Sequence, residues 1–511
     1  MQIASICLYL LLVLSTVDSR DIIVDGSRGQ VNCTGASDSP CPTIVEAFKL
    51  IERQQKDENF VVLLVGDVSE NDTAILSTIP STQGLTILVK PNATEGRLSI
   101  NGYNGTGFQI DVEAHIVFER VRLVQHGVAI RMSAGIIEAR DSEFNQNGLS
   151  VHQINGKTIF SMCSFVNNRE TLRFEGGSST LDSISVANNT NSGPIFSVSG
   201  MTNVTLKTST VSGNENTRDD SIFNVMGGRV DILSSNFTNN RANGTAGAIS
   251  VANATLSIYQ GNFTGNFARF GGAVGIYKGA IVNLTLTIFS LNNATDVAGA
   301  LFINEGYVNV QNCSFSKNRA AKGGAVTIYN ALPNPINMTH CNFTGNSASE
   351  GNDLWMLYDS NVLLNHLVAT QNNQTIYCTS PATNSTKTTN QYCESTCRSP
   401  QCAFCPGLCL LDNSNDLDNS GAGGCYSSMQ RSCSGHGICR LAQKNDDNNI
   451  KKSFAQCECN ATYGSDSCNQ RSWLFYVLIV LSGLVAVTIV LGLVFTIQNR
   501  LRRKWGYHSL N

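Results

Sequence analysis

Apolar residues return along the middle of the chain about every 26 positions, and an Asn three places later marks each return. Phe237/Asn240, Phe263/Asn266, Phe289/Asn292 and Phe315/Asn318 keep a constant step, and Phe343/Asn346 follows two residues late. Earlier copies are Phe144/Asn147, Phe165/Asn168, Val186/Asn189 and Val211/Asn214, and Thr370/Asn373 reads as a decayed last copy. Val230, Leu256, Val282, Val308 and Ile336 form a second column, and Ile232, Ile258, Leu284, Val310 and Met338 a third. The two columns sit two residues apart, which marks a short strand with one buried face. A small-residue turn precedes a further apolar column at Gly247-Ala248-Ile249, Gly272-Ala273-Val274, Gly299-Ala300-Leu301 and Gly324-Ala325-Val326.

A period of this length signals a solenoid. One coil cannot bury its own apolar side chains, but stacked coils can, each column resting on the next at about 4.8 Å. Asn repeated at one turn can hydrogen-bond up the stack as a ladder, and Asn tolerates left-handed backbone. The pattern predicts an all-β fold: a right-handed parallel β-helix with repeats over residues 141–376, about ten to twelve coils and roughly 50–60 Å long. Strand-length alternation without helical periodicity sets aside a leucine-rich or helical solenoid. Before the repeats, Thr43-Ile44-Val45-Glu46 is a capping box and Ile44, Phe48 and Ile51 recur at helical spacing, so a short helix should plug the first coil. Phe60 to Val65 reads as the first strong strand, and Cys33 and Cys41 are placed to close the loop before the helix. Residues 20–140 are therefore expected to form the cap and first coils.

Both ends carry targeting patterns. Residues 1–19 read as a signal peptide, apolar through Leu14 and then small. Trp473 to Ile497 contains no charged residue and is long enough to cross a bilayer as a helix. Arg500, Arg502, Arg503 and Lys504 follow it, which places residues 498–511 in the cytoplasm and the bulk of the chain outside. Of the 18 cysteines, twelve crowd between Cys378 and Cys468, as in an oxidised disulfide framework. Roughly eighteen N-x-[ST] sequons include Asn32, Asn71, Asn92, Asn104, Asn203, Asn243, Asn283 and Asn337. Together these features predict a membrane glycoprotein of the plasma membrane or an endo-lysosomal membrane. A net charge of −3 with 14% charged residues argues against nucleic-acid binding. Cys313 and Cys341 occupy one place in successive coils, so they are either a disulfide or two stacked thiols; Cys163 has no evident partner.

The alternation of GGA-[ILV], complete at Gly271-Gly272-Ala273-Val274 and Gly323-Gly324-Ala325-Val326, with FxxN resembles the repeat of chlamydial polymorphic outer-membrane proteins. Similar repeats occur in eukaryotic surface proteins of the pectin-lyase-like type. The likeness covers roughly residues 140–375 and implies a β-helix, surface display and adhesion. Those bacterial proteins end in an outer-membrane barrel, whereas an apolar helix ends this chain. Residues 377–424, through Cys402-Ala403-Phe404-Cys405, resemble the plexin-semaphorin-integrin module, with a zinc site at Cys402 and Cys405 as the rival. Residues 425–470 resemble an EGF-like module, from Cys433-Ser434-Gly435-His436-Gly437-Ile438-Cys439 to Cys457-Glu458-Cys459 and Cys468. That resemblance implies the pairs Cys425–Cys439, Cys433–Cys457 and Cys459–Cys468, with His436 as a turn residue. Tyr507-His508-Ser509-Leu510 resembles the tyrosine-based sorting signal read by clathrin adaptors, with Tyr507 and Leu510 as the reading residues.

The function expected is binding, adhesion or a structural role, with a glycan or protein ligand outside the cell. The alternative is a membrane-anchored polysaccharide hydrolase or lyase. Such an enzyme needs clustered carboxylates on one lateral face, and Asp219 and Asp220 beside Arg218 are the candidates. No cofactor and no metal site are expected.

Overall fold

A computed structural model describes residues 19–357 apart from positions 31, 55–58, 78–84, 93–95, 219 and 331–335; beyond 357 it describes only separate strands, the last ending at residue 471. The chain winds into a parallel β-helix of three long sheets. Sheet 1 has fifteen strands, thirteen of them from Ser19–Val24 to Ile336–Thr339. Sheet 2 starts at Val68–Ser69 and sheet 3 at Ala74–Leu76; each coil visits sheets 1, 2 and 3 in that order. From coil to coil the strands pair in parallel, in register as in Val230↔Leu256↔Val282↔Val308↔Ile336 of sheet 1, with a register shift in sheet 3 at Ile303/Asn304. Parallel crossovers of this kind are right-handed in nearly all proteins.

The core is made of stacked columns. Phe237, Phe263, Phe289, Phe315 and Phe343 are buried in one file, with successive ring centroids 4.9, 5.1, 4.9 and 4.9 Å apart. The glycines of the G-A-apolar turn allow the coils to close: a Cβ on Gly272 would lie 2.1 Å from the Gly299 carbonyl oxygen, and one on Gly299 2.1 Å from that of Gly324. The helix α1, Ile44–Gln54, buries Ile44, Val45, Ala47, Phe48 and Ile51, and Phe48 meets Phe108 edge to face. The Glu46 amide donates to Thr43 Oγ1, the expected N-cap bond. Glu70 adds a second cap by accepting from the Ile44 and Val45 amides. Cys33 and Cys41 form a disulfide.

Nine buried Asn side chains form the ladder, from Asn147 to Asn346. In Asn266, Nδ2 donates to the Phe237 carbonyl and to Asn292 Oδ1, while Oδ1 accepts from the Asn240 amide. The left-handed residue of this turn is the one before the ladder Asn, for example Gln146, Asn167, Asn239 and Lys317. The ladder side chains owe their place to hydrogen bonding, which corrects the role expected for left-handed tolerance.

A second ladder runs along the turn from sheet 1 to sheet 2. Ser142, Ser209 and Ser235 each donate through Oγ to the carbonyl two residues back. Cys163, Cys313 and Cys341 do the same through Sγ. All three cysteines are buried free thiols, so the stacked-thiol alternative holds for Cys313 and Cys341 in this structure.

The region after the helix divides into a further unit, residues 363–366 and 396–511. Its described backbone includes an antiparallel hairpin of Gly437–Asn445 with Lys451–Cys459. The pairings proposed for Cys425, Cys433, Cys439, Cys457, Cys459 and Cys468 lie outside the described side chains, as do Cys402 and Cys405. Residues 1–18 of the expected signal peptide, the 473–497 span, Tyr507 and Leu510 also lie outside the described residues, while Ser19 already belongs to the first strand. Among the described residues no helix is long and apolar enough to cross a membrane.

Candidate functional site: the outer face of sheet 3

Coil length changes along the helix. Ladder partners are 21 residues apart at Asn147–Asn168 and Asn168–Asn189, 25 at Asn189–Asn214, and 26 from there to Asn318. The extra residues enter between sheets 2 and 3. Sheet 3 resumes at Leu149, two residues after Asn147, but only at Ile249, nine after Asn240. The added segments pair with one another as a small fourth sheet, from Thr190–Asn191 to Asn293–Val297.

These segments decide what the outer face of sheet 3 shows. One outward column runs Arg131↔His152↔Arg173↔Ser197↔Asn224↔Ser250↔Gly275↔Phe302. In the short coils Arg131 is exposed and His152 and Arg173 partly so. In the long coils Ser250 is 5% and Phe302 7% exposed, because the connecting segments lie over them. The Tyr277 hydroxyl donates to the Thr245 carbonyl across this cover at 3.0 Å. Burial pushes the Tyr277 phenol well above its usual range.

Charged groups collect where bare face meets covered face. His152 Nε2 lies 3.0 Å from Glu175 Oε1. Arg173 donates to both Glu170 oxygens, and Ser197 Oγ donates to Glu170 Oε1 at 2.9 Å. On the next coil, Asn224 Nδ2 donates to Asp220 Oδ2 at 3.5 Å. Burial raises the Asp220 carboxyl above its ordinary value, against the Ser221 amide that lowers it. The two carboxyl groups stand two coils apart, with the coil of Ser197 between them. Glu170 is paired with the Arg173 guanidinium. Buried Asn224 Oδ1 and Thr245 Oγ1 have no partner among the described residues, a state that buried polar groups rarely keep without water or ligand.

Of the two sequence candidates, Asp220 is at this junction and Asp219 lies outside the described residues. Sequence reasoning missed Glu170, Arg173 and Ser197. The shortened period between Asn147 and Asn189 was the signal that could have found them, because it predicts where the cover stops. Among the described residues no group of three His, Cys, Asp or Glu could hold a metal.

The sequons divide by position. Fifteen have a described Asn side chain: thirteen are exposed, Asn262 and Asn337 are partly so, and none is buried. None lies in a strand of sheet 3. None of the nine ladder Asn begins a sequon.

No family model and no curated protein matches the chain. Among solved structures, a GH136 lacto-N-biosidase from Eubacterium ramulus (selenomethionine derivative) aligns over 71% of this chain and 67% of its own, at 7% identity and a TM-score of 0.32. At that score the likeness carries no inference about activity.

Proposed function

We propose that the chain is a single-pass membrane glycoprotein of the cell surface or endo-lysosomal system. Its β-helix stands outside the cytosol and binds a glycan or protein along the outer face of sheet 3. The observation that carries this reading is the division of the sequons. Asn-linked sugars need exposed Asn, and the described sequons avoid both the buried ladder and the strands of sheet 3. A face kept clear of bulky sugars on an otherwise sugar-bearing rod remains open to a partner. The clathrin-adaptor reading of Tyr507 and Leu510 belongs to the same proposal. The test uses the full chain in a secretory host. Glycosidase treatment should shift its mass, and glycan-array binding should fall at least tenfold in Arg131→Asn, which completes a sequon with Ser133 on the bare face. Unchanged binding with a sugar present at position 131 would sink the reading.

A second reading, cleavage of a saccharide, is favoured by the junction alone. Acid–base sugar chemistry uses a pair of carboxyls, and the junction holds Glu170 against Arg173 together with Asp220, whose pKa burial raises. Asp220→Asn should then abolish sugar release while leaving binding intact; release that persists in this variant excludes the assignment.

A further inference from the structure

We infer that Asn283 carries an N-linked glycan whose first sugars lie over an apolar patch on sheet 1. The inference rests on the exported-glycoprotein reading and names the part this one sugar plays in it.

Large apolar side chains gather on the surface of one stretch. Of twelve exposed large hydrophobic residues among those described, six fall between Tyr259 and Tyr307. Such a gathering of exposed large apolar side chains is uncommon on a soluble surface and marks a contact. Scattered single residues would need no explanation.

Register places Asn283 at the centre of the part on sheet 1. The strand Ala280–Thr285 alternates buried and outward, so Ile281, Asn283 and Thr285 share the outer face. Asn283 is flanked directly by Ser257 and Asn309. Both neighbours are small or short, which leaves room for a sugar. Tyr259 pairs with Thr285 and Tyr307 with Ile281, so both rings stand diagonal to Asn283. Diagonal neighbours in a sheet are within reach of aromatic side chains. Ile281, Tyr259 and Tyr307 are 47%, 44% and 51% exposed. A pyranose has one face of C–H groups, which packs on aromatic rings and aliphatic side chains. Attached at Asn283, it would find such partners on both sides.

Asn203 provides the matched contrast. It also points outward from sheet 1, three coils nearer the N-terminus, but its neighbours are Ser178, Arg229 and Thr205. Across and along the strand, these neighbours offer a sugar no aromatic ring.

The covalent step is the usual one. Asn283 Nδ2 forms a bond to the anomeric carbon of a lipid-pyrophosphate-linked oligosaccharide and loses one proton. The carbon–oxygen bond to the pyrophosphate breaks, and the lipid pyrophosphate leaves with that electron pair.

The test compares the full chain, Asn283→Gln, Thr285→Ala and the control Thr205→Ala, each expressed in a eukaryotic secretory host and kept in its membranes. Site occupancy is read by mass spectrometry. Tetranitromethane labelling then measures the accessibility of Tyr259 and Tyr307, with Tyr103 as internal reference. The expected result is an occupied Asn283 and nitration of both rings rising at least threefold in the two variants that remove its sequon. Thr205→Ala should leave both rings as protected as in the parent chain. A bare Asn283 on a chain whose other sequons carry sugar overturns the inference and leaves the glycoprotein reading standing. So does an occupied Asn283 whose loss changes neither ring. A chain with no sugar at any sequon fails at the glycoprotein reading itself.

Discussion

The short coils around Asn147–Asn189 and the long coils from Asn214 onward share one interior and differ in one connection. The ladder crosses the change in length without a missing hydrogen bond. Stacking in the aromatic file is likewise close on both sides, with Phe144 and Phe165 centroids 4.7 Å apart and Phe237 and Phe263 4.9 Å. Only the outer face of sheet 3 changes, from open in the short coils to covered in the long ones. Interior columns therefore set the fold, and the length of one turn sets what that fold presents.

If the ladder is a single structure across both regions, Asn168→Ala and Asn266→Ala should be equally damaging. Each leaves a neighbouring amide N–H and a carbonyl of the coil before it without their side-chain partner, worth on the order of 3–5 kcal/mol in total. Chemical denaturation measures both, and a loss at Asn168 less than half that at Asn266 would separate the regions. A smaller effect, confined to the N-terminal end, concerns His126. Its amide bonds Asn147 Oδ1, its Nε2 faces the Ile100 carbonyl, and burial lowers its pKa to about 4. The unfolded chain binds a proton near pH 6.5 and the folded chain near 4, so this group contributes stability above pH 6.5 that is lost as the pH falls through 4. His126→Asn should therefore gain on the parent chain by roughly 3 kcal/mol between pH 7 and pH 4. Asp353, at the other end, has the opposite sign. Burial raises it to about 6, so its contribution is present below pH 3.8 and is lost as the pH rises through 6; Asp353→Asn should flatten that slope in pH-dependent melting. The smallest effect is expected at Cys163→Ser. The thiol already acts as a hydroxyl in the second ladder, and burial raises its pKa to about 11. A change in stability above about 1 kcal/mol would show that the sulfur does more than fill a serine position.

The repeat made the interior legible. The Phe file, the Asn ladder, the strand columns and the glycine turn all follow from like residues at equal spacing, because each stacks on its own kind. The helix cap and the Cys33–Cys41 bond followed from local pattern. The junction on sheet 3 was only half legible. Asp220 stood out beside Asp219 and Arg218, but Glu170, Arg173 and Ser197 belong to no column of like residues and are brought together by register between coils of unequal length. The serine and cysteine ladder was hidden for a different reason: Ile184 and Gly261 interrupt it, so its chemistry is shared while its residue type is not.

All the ladder amides also point the same way. Each Nδ2 donates toward the C-terminal neighbour, from Asn147 through Asn318 to Asn346. The β-helix interior therefore holds a file of aligned dipoles, each able to polarise the next, with a donor end and an acceptor end like those of an α-helix. The donor end terminates on a carboxyl, Asn346 Nδ2 to Asp353 Oδ1 at 2.8 Å, and the acceptor end on the His126 amide. The rod thus has an electrical direction as well as a geometric one, and ionisation of Asp353 sets a charge at one pole that the whole file is oriented to receive.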